Sequence, residues 1–202
     1  YDFVDNDSDP TDPNASSTDE KVTSHGTHVG TTIGAKNDGN NLNGFGVKVL
    51  PLRVCAPRCN SYDVQHAMLY AAGLPNESGS IAPTSEGPVK VINMSLGGAT
   101  GGWACPYSAV INDVINQGVT IVASSGNSAL KTPGGSNYPA ACDNVISVGS
   151  TDTTGLRAPY SDYNNSVDIA APGGDMSKDL NGDGLNDSVL AYIRNEDPFP
   201  IH

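Results

Sequence analysis

Short apolar runs recur along the chain and are separated by polar, glycine-rich stretches. Runs of four to eight aliphatic and β-branched residues are typical of buried strands. Five such runs predict strands, at Val47–Val54, Val89–Met94, Val119–Ala123, Val145–Gly149 and Val167–Ala171. Pro51 interrupts the first run, and since proline cannot donate to a sheet ladder, it places this strand at an edge or an irregularity.

Two other stretches carry apolar residues at helical spacing. One predicts a helix over Tyr62–Ala72, with Ser61 as its N-cap and Gly73 as its stop. The other predicts a helix over Tyr107–Gln117 that ends at Gly118. Strands that alternate with helices of this length imply βαβ units. The sequence therefore predicts an α/β fold with a parallel sheet flanked by helices on both faces, in a single domain over residues 1–202.

The composition narrows the class of protein. Among 202 residues the net charge is −12, without the Lys/Arg clusters that phosphate contacts need, so we expect no nucleic-acid partner. No apolar run approaches the roughly 18–20 residues of a membrane span, so we expect no membrane association. The chain starts at Tyr1 without a methionine, which favours a processed or excised piece.

Four cysteines favour secretion. An even number of cysteines in an acidic chain rich in Gly, Asn and Ser is typical of disulfides formed in an oxidising compartment, although four buried thiols are the alternative. Zinc is disfavoured because Cys55, Cys59, Cys105 and Cys142 lack paired C-x2-C spacing and a nearby histidine.

Three motifs carry the chemistry. They are SHGTHVGTTIGA at Ser24–Ala35, VINMSLGG at Val91–Gly98 and ASSGN at Ala123–Asn127, and in this order they resemble the subtilisin-like serine proteases. The resemblance extends from YDFV at the start of the chain to APGG at Ala171–Gly174. It implies the subtilisin-like form of the α/β fold, truncated at both ends, and hydrolysis of peptide bonds by a serine nucleophile.

Two blocks of that family are missing. No D-S-G or D-T-G stands before His25, and no G-T-S-M-A stands after Asn127. We therefore expect the central part of a catalytic domain, in which the nucleophile and the orienting acid lie outside the chain and the isolated chain is inactive. The histidine block also departs from the family pattern, because Gly30 replaces an alanine and Thr31 a glycine at a crowded helix position.

The resemblance assigns catalytic roles to two residues. His25 becomes the general base and then the general acid, since imidazole has a pKa near 6.5. Asn127 becomes the amide donor to the oxyanion. Taken singly, a surface histidine and a turn asparagine are the ordinary readings of these positions. We expect both side chains to face one cleft, and His28 to be structural.

The segment after the strand at Val89–Met94 is the expected substrate platform. By resemblance, Ser95, Leu96 and Gly97 pair with an extended peptide and wall the primary specificity pocket, while Ser125 and Gly126 form its other side. An ordinary glycine-rich turn is the alternative.

An acidic stretch near the end of the chain suggests calcium. Asp179, Asn181, Asp183 and Asp187, with a turn at Gly184, match the front of a calcium loop, although Leu190 replaces the usual glutamate at position 12. A solvated acidic turn is the alternative. Asp5–Asp12 is a weaker cation candidate.

Three disulfide pairings are possible from sequence. We favour Cys105–Cys142, which would tie the substrate platform to the loop after Asn127, together with Cys55–Cys59, which would close a small loop.

The sequence thus predicts a fragment of a secreted subtilisin-like serine endopeptidase, with polypeptide substrates and a monomeric intact enzyme. The rival is a non-catalytic binding or structural module derived from a protease domain. Flanking sequence would separate the two, because only the protease needs the missing Asp and Ser blocks.

Overall fold

The computed structural model describes residues 1–11, 24–39, 44–56, 58–80, 83–99, 104–129 and 137–191. These residues fall into two compact units, one within Tyr1–Ala67 and Val189–His202 and the other within Met68–Ser188. Within the described ranges no helix is long and apolar enough to cross a membrane.

The start of the chain packs into the first unit. The Phe3 N–H donates to the Arg53 carbonyl at 2.9 Å, and the Arg53 N–H donates to the Tyr1 carbonyl at 3.0 Å. The Arg53 guanidinium pairs with the carboxylates of Asp2 and Asp5. Asp2 and Phe3 are buried, so the start of this acidic segment belongs to the packed structure and not to an exposed loop.

The strand predicted over Val47–Val54 is absent. The segment is described but belongs to no strand, and its β-pairing is an isolated bridge between Arg53 and Asp2. Val47 and Val49 are 50% and 44% exposed. Apolar β-branched residues favour a strand only where a neighbouring strand completes the ladder, and within the described ranges none does so here.

Helix α2 spans Ser61–Ala71. Its cap is Asn60 rather than the predicted Ser61, because the Asn60 Oδ1 accepts the Tyr62 N–H at 3.0 Å and the Asn60 carbonyl accepts the Val64 N–H. Its last residue is Ala71, one before the predicted Ala72, and the predicted Gly73 forms the stop. Gly73 has a φ of 72°, and the Leu74 N–H donates back to the Leu69 carbonyl in a Schellman arrangement.

Parallel strands form the centre of the second unit. Four strands form one sheet: β1 spans Val91–Met94, β3 spans Thr120–Ser124, β5 spans Val145–Thr151 and β6 spans Ile169–Pro172. They lie in the order β1-β3-β5-β6, and every neighbouring pair is parallel. These four confirm the strands predicted from the later apolar runs.

Helix α3, Ser108–Asn116, connects β1 to β3 and packs on β3. Its buried residues Ile111 and Val114 are at most 1% exposed, which agrees with the helical spacing of apolar residues in this stretch. Gly118, with a φ of 78°, follows the helix as predicted. A helix between parallel strands confirms the α/β class.

Two short antiparallel pairs accompany the sheet, and the sequence pattern did not predict them. Strand β2, Gly98–Ala99, pairs with β4, Asn137–Tyr138. Strand β7, Gly174–Asp175, pairs with β8, Asp187–Ser188. Strands of two residues have no detectable alternation, so only tertiary structure reveals them.

Candidate active site

Helix α1, His25–Gly34, starts at the predicted base. Ser24 precedes it with a φ of 83° and is buried. The Ser24 carbonyl accepts a hydrogen bond from the His28 N–H at 2.8 Å. This sharp entry leaves His25 exposed in the first helical position. The geometry agrees with a histidine presented from a helix N-terminus.

The two departures in the histidine block are accommodated locally. The Thr31 hydroxyl donates to the Thr27 carbonyl at 2.9 Å, so its polar atom is satisfied within the helix. A Cβ at Gly30 would meet nothing within 4 Å. The close approach occurs instead at Gly34, where a Cβ would lie 2.5 Å from a methyl group of Val49.

The predicted oxyanion donor lies in the second unit, just after β3. The Ser125 N–H extends the β3–β5 ladder by donating to the Val148 carbonyl at 2.9 Å. Gly126 then adopts a φ of 120°, a conformation that favours glycine, and Asn127 follows as an exposed residue. Asn127 is therefore presented at the carboxyl end of a strand next to the centre of the sheet, where ligands of open α/β sheets gather.

Asp162 lies directly beneath this loop. It is 6% exposed, and its Oδ1 accepts the Ser128 N–H at 2.8 Å. Its own N–H donates to the Gly126 carbonyl at 3.0 Å, and its carbonyl accepts the Ser125 hydroxyl at 3.4 Å. Sequence reasoning missed Asp162, because nothing in its local pattern distinguishes it from a surface aspartate.

Asn137 joins the two predicted walls of the substrate pocket. A Cβ at Gly97 would lie 2.9 Å from the Asn137 Oδ1, and a Cβ at Gly126 would lie 2.9 Å from its Nδ2. The Asn137 amide also donates to the Ser124 carbonyl at 3.4 Å. The structure thus brings the Gly97 and Gly126 segments against one amide group, which sequence reasoning did not identify.

The rest of the predicted platform is partly accessible. Ser95 and Leu96 are half-buried and Gly97 is exposed. The Ser95 hydroxyl accepts a hydrogen bond from the Asn93 amide at 3.0 Å. The following strand β2 is bound to β4, so one backbone edge of this segment is already used next to Gly97.

A cleft of about 540 Å³ lies near the carboxyl end of β5. Its walls include Ser150, Arg157, Asp162 and Tyr163, and the Arg157 guanidinium stacks 4.1 Å above the Tyr163 ring. None of the residues predicted from sequence to act in catalysis or substrate binding lines it. The candidate site is therefore identified from the residue types in the three motifs and not from this cleft.

Both disulfides match the favoured pairing. Cys55 is bonded to Cys59 and Cys105 to Cys142, with Cα–Cα distances of 4.0 Å and 5.4 Å. The second bond joins the segment before α3 to the turn before β5.

The acidic loop closes on itself through hydrogen bonds. The Asp179 carboxylate accepts the N–H groups of Gly182 and Gly184 at 2.7 Å and 3.0 Å. Asp183 accepts the Leu185 N–H at 2.8 Å, and Asp187 accepts the Leu180 N–H at 2.9 Å. In the described part of the chain, no three His, Cys, Asp or Glu side chains are grouped to hold a metal ion.

His25 belongs to the first unit and Asn127 to the second. That they face a common cleft stays a prediction, as do the roles assigned to the site residues.

Known proteins place the chain in a family. The model of the Subtilase family, peptidase S8, matches residues 1–196. An extracellular protease of Xanthomonas campestris pv. campestris is 36% identical over 176 residues, which cover 83% of this chain and 29% of that protein. An extracellular basic protease of Dichelobacter nodosus is 38% identical over 154 residues, covering 74% of this chain and 24% of that protein.

Solved structures agree. A cold-adapted subtilisin-like serine proteinase is 30% identical with a TM-score of 0.62, over 86% of this chain and 54% of that one. A protease of Pseudoalteromonas arctica is 28% identical with a TM-score of 0.65, over 82% of this chain and 50% of that one. The chain spans less than two thirds of the length of each of these relatives. It belongs to the subtilase family.

Proposed function

We propose that the protein containing this chain is a secreted subtilisin-like serine endopeptidase. His25 acts as general base and then general acid, and Asn127 donates its side-chain amide to the oxyanion. The observation that carries the proposal is the exposed Asn127 at the carboxyl end of β3, on a loop whose backbone is held on both sides. Membership of the subtilase family supports it.

The nucleophile and the acid that orients His25 are supplied by sequence outside these 202 residues. The isolated chain then has no means of forming an acyl-enzyme, and only its binding and oxyanion groups remain. We expect it to release no measurable product from a peptide p-nitroanilide and to take up no serine-directed phosphonate. The longest natural form of the protein does both.

The test is a pair of histidine substitutions in that longest form. His25→Ala lowers kcat by about four orders of magnitude or more, because removing one member of a catalytic triad removes most of its effect. His66→Ala is the matched control. It removes a half-buried histidine whose ring lies 4.2 Å from the Tyr62 ring in α2, and leaves kcat unchanged. Equal activity of the two variants would refute the role of His25.

Asn127→Ala lowers kcat with little change in KM, since the donor acts on charge that develops in the transition state. The loss is about 10²–10³-fold, the value known for removal of the asparagine oxyanion donor in subtilisin itself. A change confined to KM would instead make Asn127 a substrate-binding residue.

The substrate is an extended polypeptide. It pairs with Ser95, Leu96 and Gly97, and its side chain enters the space between that segment and Ser125 and Gly126. The Asn137 amide between the two glycines supports this arrangement. Gly97→Ala would force this amide to move, so it should raise KM for peptides more than it lowers kcat.

The protein acts outside the cell, as a monomer and without a nucleic-acid or membrane partner. Residues 1–202 form one incomplete subtilisin-like peptidase domain. Two disulfides and relatives named as extracellular proteases support secretion. The net charge of −12 disfavours nucleic acid. Size-exclusion chromatography with light scattering on culture supernatant tests the localisation and the oligomeric state together.

Subtilases commonly bind calcium. The oxygen donors and spacing of Asp179, Asn181, Asp183 and Asp187 suit calcium, but the carboxylates here face backbone N–H groups and do not converge. The present arrangement does not fit a preformed site. We therefore propose only weak binding at Asp179–Asp187, which requires the loop to rearrange.

Titration calorimetry tests this proposal. Calcium should bind in the millimolar range or somewhat below it, and Asp183→Ala should abolish the heat of binding. Asp143→Ala, at an exposed aspartate outside the loop, is the control. Absence of binding at millimolar calcium would make this stretch an acidic surface turn.

A further inference from the structure

Asp162 is a buried carboxylate that the proposed chemistry does not use. It is only 6% exposed, and burying a carboxylate is unfavourable unless hydrogen bonds replace the lost water. The Ser128 N–H donates such a bond to its Oδ1 at 2.8 Å. This bond spans 34 residues of sequence, so it fixes the loop after β3 to a distant segment.

The contacts of Asp162 lie on both sides of Asn127. Before Asn127, the Gly126 carbonyl accepts the Asp162 N–H at 3.0 Å, and the Ser125 hydroxyl donates to the Asp162 carbonyl at 3.4 Å. After Asn127, the Ser128 N–H binds the carboxylate. Asn127 is exposed, so its backbone is fixed by its neighbours rather than by packing of its own side chain.

The carboxylate also fills the space beside Gly126. A Cβ at Gly126 would clash with the Asp162 Oδ2, and Gly126 has a φ of 120° that side chains rarely adopt. The loop therefore rests directly on Asp162. Any shift of that carboxylate moves the backbone that presents Asn127.

We propose that Asp162 is a positioning residue of the oxyanion site, which holds residues 125–128 so that the Asn127 amide is preorganised. The proposal rests on the oxyanion role proposed for Asn127. Oxyanion donors act only when they are held at hydrogen-bond distance from the developing charge, and a displacement of about 1 Å is able to cost 10²-fold in rate.

The negative charge of Asp162 is not what helps. A carboxylate near the oxyanion opposes the charge that develops there, so its contribution is the acceptor geometry at Ser128. The amide of an Asp162→Asn variant has the same shape and an oxygen that accepts the same N–H. Asp162→Glu keeps the charge but displaces the oxygen by one methylene group.

The experiment compares these variants in the longest natural form of the protein, with a peptide p-nitroanilide as substrate. Asp162→Ala and Asp162→Glu should lower kcat about 10- to 100-fold, with KM within about twofold. Asp162→Asn should stay within about threefold of the wild type. In the background of Asn127→Ala, Asp162→Ala should lower kcat no further, because the two residues act through one donor.

Asp168→Ala is the matched control. Asp168 also accepts a backbone N–H, from Ser147 at 2.8 Å, but this bond holds it to β5 and not to residues 125–128. It should leave kcat unchanged. The proposal is overturned if Asp162→Asn is as damaging as Asp162→Glu, or if the effects of Asp162→Ala and Asn127→Ala multiply.

Hydrogen exchange separates this inference from the proposed function. The Ser128 amide should exchange faster in Asp162→Ala than in Asp162→Asn, whatever the activity. A wild-type protein without protease activity would refute the proposed function and the catalytic meaning of Asp162 together. An active protein whose Ser128 amide exchanges equally in both variants would refute the positioning role alone.

Discussion

The two faces of the four-stranded sheet differ sharply in exposure over β1, β3 and β5, whereas β6 is exposed throughout. On one face Ile121, Ala123 and Val145 are buried, at 0%, 1% and 7% exposed. On the other face Val91, Ile146 and Ile169 are 56%, 37% and 55% exposed. The parallel registers Val122↔Ile146 and Val148↔Ile169 place the exposed residues of β5 and β6 on the same side.

The difference shows that the strands contain more apolar residues than the described part of the chain buries. Strands of parallel sheets are normally covered on both faces, and their composition here suits such burial. Helix α3 covers one face through Ile111 and Val114. The other face contains apolar residues of the kind found in a protein core, although these residues are exposed to solvent.

A charged residue placed on each face in turn should test the difference in burial between the two faces most clearly. In the 202-residue chain, Ile121→Asp should destabilise by about 5 kcal/mol or more and abolish cooperative unfolding, because the carboxylate would be buried without a partner. Ile146→Asp should lower stability by less than about 1 kcal/mol. Urea unfolding followed by far-UV circular dichroism measures both, and equal losses would show that both faces are covered.

The disulfide Cys105–Cys142 joins the segment before α3, the helix that packs on β3, to the turn before β5. Its bonded residues are 37 apart in sequence, so replacing both by serine should lower stability by about 4 kcal/mol on loop-closure entropy. Replacing Cys55 and Cys59, which are 4 apart, should cost about 2 kcal/mol. Thermal unfolding of the two double variants tests the order, and the reverse order would contradict it.

The sheet was predictable from sequence because its signal is local. Each of β1, β3, β5 and β6 is a short apolar run, and α3 has apolar residues at helical spacing. Val47–Val54 has the same local pattern and is not a strand. An apolar run shows that a segment is suited to burial, whereas a strand also requires a neighbouring strand that completes its hydrogen bonds.

The residues of the candidate site also fall into two groups, those that a local sequence motif predicts and those that it does not. His25 and Asn127 were predicted from contiguous blocks, and the structure places one at a helix start and the other at a strand end. Asp162 binds the loop across 34 residues of sequence and Asn137 across 13, and neither belongs to a recognisable motif, so the sequence does not reveal them. The cap of α2 moved by one residue, from Ser61 to Asn60, because either side chain is chemically suitable.

Charged residues near the carboxyl end of β5 should have a smaller effect on stability, and this effect should depend on pH. Substitutions of apolar residues on the two faces of the sheet should not show this pH dependence. A hydrogen bond from the Thr154 hydroxyl, aided by Lys178, lowers the pKa of Asp152. The Ser177 hydroxyl and Lys178 likewise lower the pKa of Asp175. Because folding lowers these pKa values, the stabilisation is complete above the ordinary Asp value of about 3.9 and is lost as the pH falls below it.

Lys178→Met should therefore lower stability near pH 7 and make it less sensitive to acid. The control is Lys36→Met, at an exposed lysine in the first unit. Melting temperatures between pH 2 and pH 7 measure the slope. Parallel curves for wild type and Lys178→Met would show that Lys178 does not stabilise these carboxylates.

The smallest effect should come from an isosteric change on the open face. Val91→Thr replaces a methyl group by a hydroxyl at a position that is 56% exposed, so in the 202-residue chain it should change stability by no more than about 0.5 kcal/mol. We expect longer forms of the protein to cover this face. There the same change should cost about 1–3 kcal/mol, because the hydroxyl would be buried without a partner.

The dye ANS, which binds exposed apolar surface, provides an independent readout of the same face. It should fluoresce with the 202-residue chain and much less with a longer form. If Val91→Thr costs the same in both lengths and the dye signal does not change, the open face is not an unfinished core. Its apolar side chains would then have to be explained as a surface in their own right, since burial within the protein would no longer account for Val91, Ile146 and Ile169 together.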